Sequence, residues 1–215
     1  MTPRNRLGET YTFCTLVGLV AYAAIATDLY LPAIPYMITD LGATEAEGQL
    51  TLSVFMVGLA AGQLIFGPLS DQFGRIPVVR TGTFLFLATS ILCALAQDME
   101  FMWAMRGLQG VAAASGPVIA RAIVRDRYEG NRAAQVMSIL AGAMAVIPMI
   151  APSIGALILQ FFDWPAVFVA LAVVAMLILV ALSTLPESAP KAETERLTLG
   201  GILKAFSEML SRPAF

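Results

Sequence analysis

The sequence of 215 residues contains no histidine, only two cysteines and few charged side chains. Without histidine, metal sites built on imidazole and catalysts that use a histidine base are excluded. Cys14 and Cys93 lie far apart inside apolar runs, so they indicate neither a disulfide framework nor a zinc site. These absences predict no catalytic site, no metal and no cofactor.

Charge is scarce as well, at 13% of the residues, where a soluble domain carries about 25%. Apolar residues make up 58%, an excess over the usual value of about 45–50% that is too large for one core with a hydrated surface. The net charge of −2 gives no indication of nucleic acid or another polyanion as partner. The composition therefore predicts a protein whose solvent is the lipid bilayer.

Six apolar runs are long enough to cross that bilayer, since a spanning helix needs about 20 mainly apolar residues. The predicted spans are Tyr11–Tyr36, Gln49–Leu69, Val78–Ala96, Phe101–Ala120, Ala133–Leu159 and Trp164–Leu185. The expected organisation is a tail over residues 1–10, a six-helix bundle over 11–185 and a linker over 186–215. In the linker, apolar residues at helical spacing between Leu199 and Leu210 predict a short amphipathic helix at the membrane surface. The alternative is a segment that packs against a domain outside this chain.

The basic residues alternate with the predicted spans. Twelve of the thirteen fall in the two tails, in the loop between spans two and three, and in the loop between spans four and five. The opposite loops, near Asp40–Glu47, Asp98–Glu100 and Asp163, carry acids and no base. Lysine and arginine mark the cytoplasmic side, so both ends of the chain are expected there.

Two ionisable residues remain inside the spans, Asp28 in the first and Arg106 in the fourth. A charge near the bilayer centre costs at least about 2.5–3.5 kcal/mol, so such residues usually face the bundle interior and have a function there. Counted from the outer helix ends at 1.5 Å per residue, their depths are roughly 12 and 8 Å. The two side chains form a pair if their faces meet. Such a pair either fixes packing alone or places a titratable carboxylate on a transport pathway.

Prolines and glycines are concentrated in spans one, two, four and five. Pro32 and Pro35 follow Asp28 and are expected to loosen the end of the first span. Gly58, Gly62 and Gly67 give span two a face that allows close helix packing. Span five contains Gly142, Pro148, Pro152 and Gly155. Ordinary helix packing explains any one of them, whereas together they favour a bundle that moves, with Tyr30, Gln63 and Gln109 as polar side chains lining its cavity.

The loop after span two carries a motif that reads Gly67-Pro-Leu-Ser-Asp71-Gln-Phe-Gly74-Arg75. It resembles the G-x-L-x-D-x-x-G-R signature of the major facilitator superfamily, at the same loop. Arg106-Gly-Leu-Gln109-Gly110 in span four resembles the R-x-x-Q-G motif of that superfamily. The segments Thr27–Pro35 and Arg121–Tyr128 are similar to the Bcr/CflA group of drug:proton antiporters. Span five, from Pro148 through Pro152 to Gly155, resembles the antiporter motif.

This resemblance implies an all-α membrane protein whose six helices form two inverted three-helix repeats, half of a twelve-helix fold. The implied function is proton-coupled multidrug efflux across a bacterial-type inner membrane, with drug leaving as protons enter. Asp28 and Arg106 would couple proton to substrate, and Gly67, Asp71, Gly74 and Arg75 would form a gating loop. The implied partners are an amphiphilic small molecule, the proton, the bilayer and a second six-helix half outside this chain.

Two other functions stay open at this stage. One is a permease of the same superfamily for a single metabolite, and the other is a six-span binding module that transports nothing. An enzyme is not expected, because the spans contain no pairing of a nucleophile with a base.

Overall fold

The structure, a computed structural model, describes residues 3–188, with side chains from residue 9 onward. Within this range the chain is helical and contains no strand. The helices are α1 Pro3–Asp28, α2 Ile34–Asp40, α3 Glu45–Phe73, α4 Arg75–Ala94, α5 Met99–Ala113, α6 Ser115–Arg127, α7 Gly130–Leu159 and α8 Pro165–Ser183, with a 3₁₀ turn at Leu31–Ala33. The amphipathic helix expected within 186–215 lies outside the described residues.

The six predicted spans are confirmed. Helices long and apolar enough to cross a membrane cover Glu9–Asp40, Glu45–Phe73, Arg75–Ala94, Met99–Arg127, Gly130–Leu159 and Pro165–Ser183. The first span consists of α1, the 3₁₀ turn and α2, and the fourth consists of α5 and α6. Several helices extend past the apolar runs that predict them, and α1 already begins at Pro3 within the predicted tail. Helical hydrogen bonding continues through polar residues at the membrane surface, where hydropathy no longer marks it.

Acidic side chains explain where two of the helices begin. Thr44 precedes α3 and forms a capping box with Glu47, in which the Thr44 amide donates to the Glu47 carboxylate at 2.8 Å. Asp98 caps α5 by accepting the amide of Phe101 at 2.8 Å. Carboxylates at these positions also offset the positive end of the helix dipole. The acids of the predicted outer loops therefore fix helix starts at one end of the bundle, called here the acidic end.

The opposite end, called here the basic end, is where α3, α6 and α8 finish and α4 and α7 start. It carries Arg75, Arg80, Arg121, Arg125, Arg127 and Arg132.

The first span is interrupted just after Asp28, as its prolines predict. Proline has no amide hydrogen, so Pro32 cannot donate to the carbonyl of Asp28 and the α-helix cannot continue. The helix α1 ends at Asp28, and Leu29 makes the last helical hydrogen bond, to Ile25 at 3.0 Å. Two residues of turn and the 3₁₀ segment then lead into α2. A carboxylate is thereby placed at a break in a membrane-spanning helix.

Helix packing in the bundle follows a symmetric pattern. The second span packs extensively on the fourth, the third on the sixth and the first on the fifth. If spans one to three are exchanged with spans four to six, the pair of spans two and four becomes the pair of spans five and one. The pair of spans three and six is unchanged. These three pairs therefore exchange as they would in two three-helix repeats. Because one repeat crosses the membrane three times, the next repeat has the opposite orientation.

Glycines allow spans two and four to touch along their backbones. A Cβ atom at Gly58 would overlap the carbonyl oxygen of Gly107, and one at Gly110 would overlap the carbonyl oxygen of Phe55. Lipid tails are as apolar as the helices, so no hydrophobic force brings helices together in a membrane. Close packing of this kind drives their association instead. Two of the three glycines of the small-residue face predicted on span two, Gly58 and Gly62, therefore pack against α5, and Gly67 does not.

Two helices remain largely uncovered by the described part of the chain. The apolar windows of α3 and α7 are the least buried of the six spans. Val57 on α3 is 71% exposed and Met149 on α7 is 77% exposed. These two helices present broad apolar faces outward, to lipid or to another protein surface.

Candidate functional site

Asp28 lies at the break in the first span, where its side chain is unpaired within the described part of the chain. Its side chain is half-buried, and no hydrogen bond or ion pair joins it to another described residue. An ionisable group at membrane depth is costly to retain without a function. Its position at a helix end, half-buried, suits a group that exchanges a proton or contacts a ligand.

The fifth span touches the first span right beside this carboxylate. Gly155 on α7 packs against Leu29, and a Cβ atom at residue 155 would overlap the Leu29 carbonyl oxygen and lie 3.2 Å from the Pro32 ring. The glycine of the predicted antiporter motif therefore lies against the helix break that carries Asp28. Through this contact, movement of α7 can reach the residues next to the carboxylate.

Arg106 is fully buried inside the bundle in an aromatic cage formed by Tyr30, Phe55 and Phe168. Its guanidinium carbon lies 4.5 Å from the ring centre of Tyr30, 4.3 Å from that of Phe55 and 5.8 Å from that of Phe168. These rings belong to the first, second and sixth spans, so the charge lies where four spans converge. A cation above aromatic faces gains about 2 kcal/mol or more when it is desolvated, which partly compensates for its burial.

Hydrogen bonds fix one side of the Arg106 guanidinium and leave the other side open. Its Nη1 donates to Gln109 Oε1 at 2.6 Å and, at 3.4 Å, to the carbonyl of Ala26 near the helix break. Gln109 is held in turn, because its Nε2 donates to Ser90 Oγ on the third span at 2.7 Å. Arg106 Nε and Nη2 are buried without a hydrogen-bond partner among the described residues. Two charged donors are therefore available to a further group.

The ion pair expected between Asp28 and Arg106 is not formed in this structure. No carboxylate among the described residues lies within ion-pair distance of the guanidinium. The comparison of depths along the two helices did not determine which way the side chains turn. Arg106 points into the cage, whereas Asp28 stays at the half-exposed end of α1.

The three side chains predicted to line a cavity occupy different surroundings. Tyr30 and Gln109 are fully buried in the bundle, where the Tyr30 hydroxyl pairs with Thr51 Oγ1 at 2.9 Å. Both support Arg106 and do not face open space. Gln63, in contrast, lies exposed on the uncovered face of α3.

The predicted gating loop forms a compact charge cluster at the basic end, called here the Arg75 cluster and consisting of Ser70, Asp71, Arg75, Asp126 and Glu187. The Arg75 side chain is only 8% exposed. Its Nε donates to Asp126 Oδ2 at 2.9 Å, and its Nη1 donates to Ser70 Oγ at 2.8 Å and to Asp71 Oδ1. The Asp71 side chain is 60% exposed, while that of Asp126 is 13% exposed. Asp71 is thus anchored by Arg75 and still presents a free edge.

Glu187, just after the sixth span, completes the cluster from the other side. Its two carboxylate oxygens accept the first amides of α4, from Arg75 at 2.9 Å and from Ile76 at 3.1 Å. Gly74 makes this possible, since its φ of +93° suits only glycine and a Cβ atom there would lie 2.8 Å from Glu187 Oε2. Steric restriction therefore explains why the motif has glycine at position 74.

Sequence reasoning did not assign a role to Glu187. The signal available was an acid directly after the last span, at the end of the bundle where arginines predominate.

Side chains from three other helices hold the end of the sixth span. Arg80 on α4 donates to the Leu182 carbonyl at 2.7 Å, and Arg127 from α6 donates to the Pro186 carbonyl at 2.6 Å. The Tyr11 hydroxyl on α1 donates to the Ala181 carbonyl at 2.9 Å. Cationic donors at a helix C-terminus also suit the helix dipole. The exit from span six is therefore docked on the same end of the bundle as the gating loop.

The remaining motif residues lie on the uncovered side of the described bundle. No atom lies within 4 Å of the Cβ position of Gly67, apart from its own helix backbone and chain neighbours, in the part of the chain that the structure describes. Pro148 and Pro152 lie within α7, which continues through both as one helix. Pro148 is exposed and Pro152 is half-buried.

Comparison with known proteins gives a consistent picture. The model of the Major Facilitator Superfamily matches residues 16–215. The chain is 37% identical over 183 residues to the multidrug resistance protein MdtL of Escherichia coli O157:H7 (strain EC4115), covering 85% of this chain and 46% of that protein. It is 36% identical over 185 residues to the MdtL protein of Escherichia coli O45:K1 (strain S88), covering 86% and 47%. The chain thus spans about half the length of the curated relatives it matches.

Solved structures share the fold at low identity. A peptide transporter, POT (E310Q mutant) in complex with sulfate, superposes with a TM-score of 0.73 at 21% identity, covering 92% of this chain and 43% of that one. The proton:xylose symporter XylE superposes with a TM-score of 0.71 at 16% identity, covering 83% and 44%. The six-span bundle, its repeat symmetry and the family match agree: this chain is a multi-pass membrane protein and belongs to the major facilitator superfamily.

Proposed function

We propose that this chain forms the first six-span half of a proton-coupled drug exporter of the bacterial inner membrane. The observation that carries the proposal is Asp28, an unpaired carboxylate at a helix break in the membrane, in contact with the fifth span through the neighbouring Leu29. The similarity of the chain to the MdtL multidrug resistance proteins supports drugs as the cargo. In this proposal the same carboxylate binds the proton and responds to the substrate.

Antiport follows if the proton and the drug exclude each other at Asp28. A protonated carboxylate is neutral and no longer attracts a cationic or polarised amphiphile, so proton entry favours drug release. Drug binding beside the ionised carboxylate in turn displaces the proton. Arg106 lies near Asp28 along the first span, through its bond to the Ala26 carbonyl, and it remains charged in both states. Its role is to supply a fixed positive charge beside a carboxylate whose charge changes.

The basic end of the bundle faces the cytoplasm in this proposal, because arginines flank the spans at that end and acids flank them at the other. Proton movement toward the cytoplasm is downhill in respiring bacteria, so the proton that neutralises Asp28 arrives from the acidic end. Drug travels the opposite way.

The Arg75 cluster acts as the cytoplasmic gate. Arg75 and Asp126 bind the loop to the fourth span, and the exposed edge of Asp71 is free to contact a second six-helix half. Making and breaking that contact would shift the balance between the outward-facing and inward-facing states. The uncovered faces of α3 and α7 provide the apolar surface for the second half, and Gln63 on α3 lies on the wall of the cavity between the halves.

Export driven by a proton gradient in everted membrane vesicles tests the proposal. The variant Asp28→Asn should insert normally and lose gradient-driven uptake of a fluorescent cationic drug. The matched control is Asp163→Asn, which removes a carboxylate at the acidic end that forms no hydrogen bond or ion pair with Asp28. Full uptake by Asp28→Asn, or equal loss in both variants, would contradict the assignment.

A further inference from the structure

A groove runs between α1 and α7 at the basic end of the bundle. It consists of two adjoining cavities of about 620 and 440 Å³. Four residues line both cavities: Phe13, Arg132, Val136 and Ile139. The groove is separate from the Arg75 cluster and from Asp28, and it lies where the exposed side of α7 meets α1.

The polarity of this groove changes with depth. Its mouth is lined by Glu9 on α1 and by Asn131 and Arg132 on α7, and its floor one or two turns deeper by Phe13 and Ile139. Arg132 and Ile139 are separated by seven residues, which is about 10 Å along a helix. Lipid headgroups occupy a layer of about 5–7 Å on each side of the hydrocarbon. A mouth at headgroup level therefore puts the floor at the level of the first acyl carbons.

The charge at the mouth decides which amphiphile fits. The Arg132 side chain is exposed and makes no hydrogen bond or ion pair with the residues described, whereas the side chain of its neighbour Arg127 donates to the Pro186 carbonyl. Tyr128 belongs to the same lining, and Glu9 is the acid there. A guanidinium with free donors matches the oxygens of a phosphate, so Arg132 favours an anionic headgroup.

We propose that this groove binds one anionic phospholipid from the surrounding leaflet. Arg132 and Tyr128 hold its phosphate, and the first acyl carbons pack on Phe13, Val136 and Ile139. The lipid would then bridge α1 and α7, the helix pair whose deeper contact is Gly155 with Leu29. The proposed cytoplasmic placement of the basic end makes this the cytoplasmic leaflet, and lipid binding does not require that the cargo is a drug.

Native mass spectrometry of the full chain, released from detergent, counts lipids that stay bound. Dioleoylphosphatidylglycerol is compared with dioleoylphosphatidylcholine, which has the same chains and no net charge. The unmodified protein should retain the anionic lipid preferentially. Arg132→Gln should lower that retention on the order of fivefold, the factor expected for one arginine at an anionic surface. Arg121→Gln removes an exposed arginine outside the groove and should leave retention unchanged.

A second pair of variants tests the apolar floor, and a competitor tests the source of the phosphate. Ile139 and Ile150 are both 51% exposed on α7, but only Ile139 lines the groove. Ile139→Ser should therefore lower lipid retention, and Ile150→Ser should not. Equal retention by Arg132→Gln and the unmodified protein would overturn the proposal, as would equal losses in Arg121→Gln. Complete displacement of the lipid by glycerol 3-phosphate would also overturn it, since the site would then recognise free phosphate.

Discussion

Arg106 is a permanent charge buried among spans that are otherwise apolar. A charge at the bilayer centre costs about 2.5–3.5 kcal/mol on insertion scales, and a desolvated cation above aromatic rings regains about 2 kcal/mol or more. The cage of Tyr30, Phe55 and Phe168 is therefore of the right order to hold the guanidinium without a counter-ion. This leaves the carboxylate of Asp28 uncommitted, which is what a proton carrier requires.

The sequence predicts which charged residues lie inside the spans, but it does not predict the directions of their side chains. The scarcity of charge inside the spans identifies Asp28 and Arg106 without any structure. The orientation of each side chain about its helix axis depends on how four spans pack against one another. Hydropathy does not predict that packing. For the same reason the sequence predicts that Tyr30 and Gln109 line a cavity, whereas the structure buries both around Arg106.

Gly74 is expected to be the least replaceable glycine of the gating loop. Gly74→Ala forces a φ of +93° on a residue with a side chain and brings its Cβ against Glu187. Backbone strain of this kind costs about 1–3 kcal/mol. Thermal unfolding of the purified protein in detergent should show a clear loss of stability.

Gly67→Ala is the matched control in the same motif. Gly67 lies within α3, and no neighbouring atom lies within 4 Å of its Cβ position in the described chain, apart from its own helix backbone and chain neighbours. Alanine is favoured over glycine inside a helix by about 0.5–1 kcal/mol, so this variant should unfold at the same temperature or slightly higher. Equal destabilisation by both alanines would show that the strain at Gly74 is not the cause.

At the scale of helices, the contact between α7 and the break in the first span links two sequence motifs. Gly155→Ala places a methyl group where the Leu29 carbonyl oxygen lies, so α7 must shift away from the residue next to Asp28. Overpacking of this kind costs about 1–3 kcal/mol. Thermal stability should fall. Gly142→Ala on the same helix meets no atom within 4 Å, outside its own helix backbone and chain neighbours, in the residues described, and should be neutral. Matching losses in the two variants would rule out the proposed contact.

Glu187 is expected to hold the start of α4 from beyond the sixth span. Glu187→Ala removes the acceptor of the Arg75 and Ile76 amides. Hydrogen exchange at these two amides should become several-fold faster, the factor that a helix cap worth about 1 kcal/mol implies. Glu129→Ala is the control, because Glu129 precedes α7 without making a side-chain cap. Unchanged exchange in Glu187→Ala would mean that the gate does not depend on the segment after span six.

The membrane-spanning helices are predictable from the sequence because one physical requirement, a long apolar run, defines them. A run of about 20 apolar residues has no other stable place than the bilayer. The break after Asp28 was equally accessible, since proline removes a helical donor wherever it occurs. The docking of the sixth span's exit was not accessible. It depends on Arg80, Arg127 and Tyr11, which lie on three different helices and meet only in the folded bundle.

At the scale of the whole molecule, the six spans form a symmetric bundle with two uncovered apolar faces. The chain covers about half the length of the relatives it matches, 46% of one MdtL protein and 43% of the peptide transporter. A second six-helix half packed on α3 and α7 would enclose a cavity with Asp28 near one wall and Gln63 on another. Alternate opening of that cavity to the two sides of the membrane is the motion that the Arg75 cluster would control.

Proton release on drug binding tests the central claim, that Asp28 carries the coupled proton. Purified transporter in weakly buffered detergent solution receives a saturating dose of a cationic drug while a pH indicator records released protons. We predict release by the unmodified protein and by Asp163→Asn, and none by Asp28→Asn, although that variant still binds the drug. Undiminished proton release by Asp28→Asn would contradict the account.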